Sequence, residues 1–513
     1  MIFIGHSLNN PGAHFVTNVV ATIGTENDLI IDLRIIRDKD AIFKLISDHL
    51  QQHDERYVIY NAYENEDFIL DFKSQFPNLT LFTFFSDDEW RHSNYDRYLA
   101  LYSDFFSIAP ERNMEIYHSY GLYNGMICQW ACNPDNFYPV NEDKRYDVTF
   151  IGAPYGRRLE FIRFLAGNGV DFKVFGKGWE KYPDVKNHWG GYLSAEDMLK
   201  TISQSRINLN FTWTSRNPNQ TAIKGRTMEI PACRSFQLSS HTDEFSNYGF
   251  IDGLNIATFQ NKHEMLDKIK YYLTNENERE SIADKAYTFV LENHTWEKRF
   301  ALIFKRMEHC KESNTIPVFK ILVVLQGEVT HSIELEDRRL EIHIKYEKDC
   351  AGLDFEQYED IVFLSRDSTM NNETLYMMAF ARHCDNSDVV LANFYITAKG
   401  ENIWVRFLDK VIGQHRKFIK FLPREAMCFA PQAAKEFALK QANWDHKNLS
   451  FIEYPSFTVS GLAGYRKRLL KLCFGSYQHK TMFKNSVNRW RFGKALNVGC
   501  DYLMQREIKK RFT

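Results

Sequence analysis

No apolar run in this 513-residue chain approaches the ~18 residues that a membrane-crossing helix requires; the longest strand-like run is around "ILVVL". Cysteines in CxxC spacing are also missing. The nine that occur are scattered and odd in number, which argues for reduced thiols in a cytoplasmic protein and offers no metal site. The opening "MIFIGHSLNN" has no basic stretch beside its apolar residues, so it reads as a first β-strand rather than a signal peptide. Repeats and low-complexity tracts are absent as well, which leaves ordinary globular domains. The length implies roughly three of them, and 44% hydrophobic with 25% charged residues is an ordinary composition for such domains.

The formal charge of −2 hides an asymmetry. Residues 461–513 carry 13 Lys and Arg against Asp501 and Glu507, a net of +11, so the remainder carries −13. A mildly acidic body with a basic tail is a statement about partners rather than fold. In "GLAGYRKRLLKLCF", Leu462, Tyr465, Leu469 and Leu472 share one helical face, with Arg466, Lys467, Arg468 and Lys471 around it. That pattern suits attachment to an anionic membrane surface. Packing against the acidic body or another subunit is the alternative, which leaves oligomerisation open. No element suggests a nucleic-acid-binding fold, so nucleic acid is not an expected partner.

Residues 1–140 alternate short β-like runs ("MIFIG", "DLIIDL", "RYVIYNAY", "LTLFTFF", "DFFSIA") with amphipathic segments such as "KDAIFKLISDHLQQH". That rhythm predicts a parallel sheet covered by helices on both faces. It restarts after the polar stretch "NPDNFYPVNEDKR" and runs through residues 141–312. "YDVTFIGA", "DFKVFGKG" and "INLNFTW" read as strands, and "SAEDMLKTISQS" as a helix capped by Ser194. Two open α/β halves in tandem leave a crevice at the carboxyl ends of their strands. Residues 317–460 read as a third α/β domain, with "FKILVVLQG", "YEDIVFLSRD", "SDVVLANFYI" and "RKFIKFLP" as strands, and 461–513 as the helical tail.

Several segments occur in a telling order: "VTFIGAPYGRRLEFIRFL", "VFGKGW", "GGYLSAEDMLKTISQSRINLNFTW", "RTMEIPACRSFQLSS" and "HTWEKR". Together, over residues 146–306, they resemble the glycosyltransferase domain of the CgeB-like (spore-maturation-type) family, a branch of the GT-B glycosyltransferases. "TFFSDDEW" through "CQWACNPDNFYP" resembles that family's N-terminal domain more loosely. The resemblance implies a GT-B fold of two Rossmann-like domains and a metal-independent hexosyltransferase-type enzyme. It would need no cofactor, taking a nucleotide diphosphate sugar as donor and a glycan or lipid-linked glycan as acceptor. The setting implied is bacterial surface polysaccharide synthesis, lipopolysaccharide or capsule, by a cytoplasmic protein peripheral on the inner face of the cell membrane. A non-catalytic sugar- or nucleotide-binding scaffold and a nucleotide-sugar epimerase are the alternatives.

The chemistry agrees with the resemblance. Departure of a diphosphate builds negative charge that fixed cations and backbone N–H groups must meet. Lys224 and Arg226, at the carboxyl end of the "NLNF" strand, suit that role, and Arg157 or Arg158 in the turn that starts at Gly152 can also reach a phosphate. By the resemblance, Glu229 accepts hydrogen bonds from the donor ribose hydroxyls, work a carboxylate does well because it offers paired acceptors. "FGKGW" and "HWGGY" fall where such domains hold the nucleobase: Gly190 and Gly191 permit close backbone approach, and Lys177, Trp179 and Tyr192 lie beside them. Asn208 and Asn210 either orient the loop or join the site. An acceptor hydroxyl needs a general base, for which Asp87 or Asp88 in "SDDEW" and His6 or His14 in "GHSLNNPGAH" are the candidates. His294 in "NHTW" is expected to cap the last helix. Two positions depart from the family: Thr221 stands near a glutamate of many retaining relatives, and Arg234 replaces a glycine. In the third domain, "YEDIVFLSRDSTMNNETLYMMAF" resembles the nucleotide-sugar segment of GT-A enzymes, where Asp-x-Asp holds a metal. Ser365-Arg366-Asp367 occupies that place with one carboxylate missing, so this domain reads as a degenerate, non-catalytic copy.

Overall fold

Runs such as "TLFTFF" and "YVIYNA" are apolar at nearly every position because their strands are covered on both faces, as parallel strands under helices must be. The architecture comes from a computed structural model that describes residues 1–309 apart from 11–12, 64–67, 87, 216 and 218. Beyond that it describes 317–326, 335–346, 349, 354–365, 368–369, 372–385, 389–398, 401–405, 427–429 and 449–459. The chain divides into two compact units, 1–118 with 122–314 and 119–121 with 315–513. The predicted tail 461–513, the strand "RKFIKFLP", Asp87, Arg366 and Asp367 lie outside the described residues.

The first unit holds the two parallel sheets that the sequence predicts. In one, β1 (Ile2–Gly5), β2 (Leu29–Asp32), β3 (Tyr57–Ala62), β4 (Thr80–Phe85), β5 (Phe105–Ile108) and β6 (Gly125–Ile127) pair in the order β2-β1-β3-β4-β5-β6. In the other, β7 (Tyr146–Ile151), β8 (Phe172–Phe175), β9 (Ser205–Asn210), β10 (Gln237–Ser240) and β11 (Ala257–Phe259) pair in the order β11-β10-β9-β7-β8. Both orders reverse direction beside their first strand. Each sheet therefore has a switch point, between β1 and β3 in the first and between β7 and β9 in the second, where crossovers diverge and a crevice opens at the carboxyl ends. The first switch point is tight: a Cβ on Gly5 would lie 2.9 Å from that of Asn61 across it.

The helix Trp296–His309 ties the sheets together. Its Trp296, Phe300, Ile303 and Met307 recur at helical spacing and bury among Phe3, Ile59, Phe82 and Phe84 of the first sheet and Phe15, which precedes the helical stretch Val16–Val20. The outgoing and returning chains run side by side where they cross: Cys132 N–H donates to His294 O at 3.0 Å, and Trp296 N–H to Cys132 O at 2.9 Å. The expected cap by His294 is corrected here. Thr295 Oγ1 accepts from Lys298 N–H at the start of the helix, while the His294 ring stacks on Phe250 and contacts Tyr248 O.

In the second unit, strand Phe319–Gln326 pairs in parallel with Leu340–Tyr346 and Asp360–Ser365. Met427–Phe429 enters antiparallel between Asp360–Ser365 and Val389–Ala398, which in turn pairs in parallel with Leu449–Val459. Among the described residues this is a mixed sheet.

Candidate functional site

At the second switch point, β9 leads through residues 211–224 into the helix Arg226–Ala232. The loop is pinned by Ala222 N–H donating to Thr212 O at 2.9 Å and by Thr214 N–H to Gln220 O at 2.9 Å. Asn210, buried at the end of β9, donates to Thr227 Oγ1 at 3.0 Å, so it orients the helix start from beneath. The Glu229 side chain reaches back over Gly225, where a Cβ would sit 3.3 Å from Oε1. The Glu229 carboxylate thus lies against the first turn, where the helix dipole favours it.

Charge gathers at this point from both halves of the unit. Glu229 is 1% exposed and ion-paired to Arg226; its other oxygen is 3.8 Å from His14 Nε2. Arg226 Nη2 also lies 2.8 Å from Met198 Sδ, and its Nε is buried without a partner among the described residues. Burial, with Arg158 nearby, lowers the Arg226 pKa to about 10, which still leaves it cationic at neutral pH. His14, ahead of the helical stretch Val16–Val20, packs edge-on to Trp130 at 5.0 Å. About half of its side chain is exposed, yet desolvation within the crevice, then the Arg226 charge, lower its pKa to about 4, so it is neutral at physiological pH. Lys224 reaches across the crevice to Glu89, on the short helix Asp88–Arg91 that follows β4, and both side chains are largely buried. Sequence reasoning passed over Glu89 although it lies inside "SDDEW"; its helical neighbourhood was the available signal.

Asp88 requires a correction as a candidate base. It is fully buried, accepting from Tyr117 Oη at 2.5 Å and Asn113 Nδ2 at 3.1 Å. Burial holds its carboxyl well above the usual carboxylate range despite those bonds. An acceptor hydroxyl has no route to it; the residue anchors the helix that presents Glu89. His6, just after β1, lies 5.3 Å from the ring of Tyr63, just after β3, so the two flank the first switch point. Asp32 shapes that loop by accepting from Ser7 N–H and Asn9 N–H, each at 3.1 Å.

The turn that starts at Gly152 faces the same switch point, but its cations are engaged. Arg158 is buried, donates to Ala153 O at 3.1 Å and Phe211 O at 3.2 Å, and lies 3.6 Å over the Tyr155 ring. It holds the turn together, which corrects the phosphate role considered for it. Arg157, 40% exposed, pairs with Glu160 and lies over Phe161 and Trp213. At the end of β8, Trp179 is fully buried and donates to Gly152 O at 2.7 Å, a packing role. Gly190 N–H is bound to Val174 O, and a Cβ there would strike Phe175 at 2.1 Å. Gly191, at φ +94°, has open space beside it, and Lys177 and Tyr192 are exposed nearby.

A further network, not anticipated from sequence, clamps the loop before Lys224. Glu244 accepts from Ile223 N–H at 3.0 Å and from Arg112 at 2.5 Å, and Arg112 also donates to Thr221 O at 3.1 Å. Burial raises the Glu244 pKa, against these bonds.

What emerges is an α/β unit with two facing switch points and an anion-ready cluster between them. Residues 157–305, which build most of the second sheet, match the family described as Glycosyl transferase-like. No curated protein matches the chain. Among solved structures it is similar to HepE from Anabaena in complex with UDP, at 10% identity over 60% of this chain and 99% of that one, with a TM-score of 0.46. A glycosyltransferase from Rickettsia africae shows 12% identity over 61% and 99%, with a TM-score of 0.42. Sucrose-phosphate synthase from Thermosynechococcus elongatus shows 11% over 53% and 77%, with a TM-score of 0.37.

Proposed function

We propose that this protein is a metal-independent glycosyltransferase of the CgeB-like GT-B kind, moving a sugar from a nucleotide diphosphate to a glycan acceptor. The observation that carries the reading is the convergence of Lys224, Arg226 and Glu229 on one helix start, at the switch point of the second sheet and facing the first. The match of residues 157–305 to a glycosyl transferase-like family supports it.

In this reading the donor diphosphate lies between Lys224 and Arg226, whose charges are fixed before the reaction and need no reorganisation as the leaving group becomes anionic. The donor pentose hydroxyls are gripped by Glu229, held rigid by Arg226. Gly191, Lys177 and Tyr192 border the nucleobase. The acceptor enters along the first sheet past His14. Closing the crevice on an acceptor expels water, so that donor hydrolysis is left as a slow reaction in the acceptor's absence.

In this reading the +11 charge of residues 461–513 draws the enzyme to the anionic cytoplasmic face of the cell membrane, where a lipid-linked precursor of a bacterial surface polysaccharide would be met. The 317–460 domain serves acceptor binding or assembly as a degenerate GT-A-like copy.

The test is thermal unfolding of the full chain against UDP-, GDP-, ADP- and dTDP-hexoses, followed by turnover of the best ligand. A ligand binding only the folded state at 100 times its dissociation constant adds about 2.7 kcal/mol. Absence of any shift refutes donor binding. A shift without turnover points to a scaffold, and conversion of the donor without acceptor points to an epimerase.

A further inference from the structure

One acid in the crevice has no assigned work. Glu89 comes from the first sheet, yet its carboxylate lies against Lys224 of the second, in contact with the cation assigned to the leaving diphosphate. Its helix is anchored from behind by buried Asp88, bonded to Tyr117 and Asn113. The other described acids here are committed. Asp88 is enclosed, Glu229 is bound to Arg226 on the donor side, and Glu244 is held by Ile223, Arg112 and Gln129.

We propose that Glu89 is the catalytic base of the transfer, the group that takes the proton from the acceptor hydroxyl. This deepens the glycosyltransferase reading and rests on it. The Lys224–Glu89 pair is then the resting state of two groups that act on opposite sides of one sugar. When a donor enters, its diphosphate replaces the carboxylate on Lys224, because two anions repel one another at the range of a single ammonium. The sugar separates the two residues, leaving the diphosphate on the wall of the second sheet and Glu89 on the wall of the first. The acceptor oxygen bonds to the anomeric carbon, and the bond from that carbon to the diphosphate oxygen breaks, its electron pair leaving with the diphosphate. The hydroxyl proton passes to a Glu89 oxygen. Attack from the wall opposite the leaving group inverts the anomeric configuration. His14 is a poorer base because Glu229 and Trp130 engage it on the donor side.

The experiment uses the full chain and the nucleotide hexose that shifts wild-type unfolding most, with water as acceptor. Nucleotide release gives the rate, and proton NMR of the freshly released sugar gives its configuration. Glu89→Gln is expected to lower the rate by about 100- to 10,000-fold and to leave nucleotide affinity equal or tighter, since the competing carboxylate is gone. Glu89→Asp, which keeps the charge, should retain part of the rate and guards against a folding defect in the glutamine variant. Glutamine and wild-type rates within threefold of each other, or a released sugar of retained configuration, would overturn the assignment while donor binding stands. A wild type that binds no nucleotide sugar overturns the glycosyltransferase reading itself, and this proposal with it.

Discussion

Replacing Glu229 by glutamine keeps the shape of the side chain and removes the charge, so it isolates what the carboxylate does. In the free protein the change strands Arg226, whose Nε is already buried without a partner among the described residues, against a neutral amide. Breaking a fully buried ion pair by losing one partner costs about 3–5 kcal/mol. Because the Arg226 side chain remains 27% exposed, water screens part of that loss, and about 2–3 kcal/mol is expected. For a unit of this size that corresponds to an unfolding temperature lower by about 5 °C. In the bound state a hydrogen bond to a charged group contributes about 1.5–3 kcal/mol, so nucleotide affinity should fall by roughly 10- to 100-fold. Calorimetric titration with a nucleoside diphosphate and, separately, with inorganic pyrophosphate tests the cause. Pyrophosphate has no pentose and should keep or gain affinity, since Arg226 is freed. If both ligands weaken in equal proportion, or neither changes, Glu229 does not hold the pentose and the reasoning fails.

Lys224→Met should weaken nucleoside diphosphate binding at least tenfold and flatten its salt dependence, with nucleoside binding unchanged in the same titration. Asp88→Asn should alter the pH dependence of stability. Its raised folded pKa means the native state binds more protons than the unfolded one between roughly pH 4 and about pH 7, so wild-type stability falls as pH rises through that window. The asparagine variant should lose this slope in denaturant titrations. His14 carries the opposite sign: with its folded pKa lowered to about 4, its contribution falls as pH drops from about 6.5 towards 4. NMR titration should show that pKa rising in Arg226→Met, which removes the neighbouring charge. Removal of 461–513 should abolish sedimentation with phosphatidylserine vesicles; a truncated chain that still binds them places membrane affinity elsewhere.

Much of the architecture was readable because parallel strands covered on both faces leave long apolar runs, and each half restarts the same rhythm. "LTLFTFF", "YDVTFIGA" and "INLNFTW" became β4, β7 and β9. The basic residues and the acid after β9 were legible for the same reason, since a strand's carboxyl end marks the crevice. Among neighbouring candidates the reading was less discriminating. Arg157 and Arg158 are adjacent in sequence, yet one lies half-exposed over Phe161 and Trp213 and the other is buried in the turn it braces. Asp88 and Glu89 are likewise neighbours on one short helix, and a rotation of about 100° between them separates the core from the crevice.

The sequence alone determined that β1–β5 and β7–β9 are strands and that the charged residues after β9 sit at a crevice edge, because these follow from local periodicity and strand direction; the short strands β6, β10 and β11, of three or four residues, left too little periodicity to read. Tertiary structure decided which acid meets which cation. Lys224 finds Glu89 across 135 residues of chain, and Glu244 clamps Arg112 across 132. Such pairings depend on long-range packing, of which the returning helix Trp296–His309 burying its apolar face against the first sheet is one part, and no local pattern encodes it.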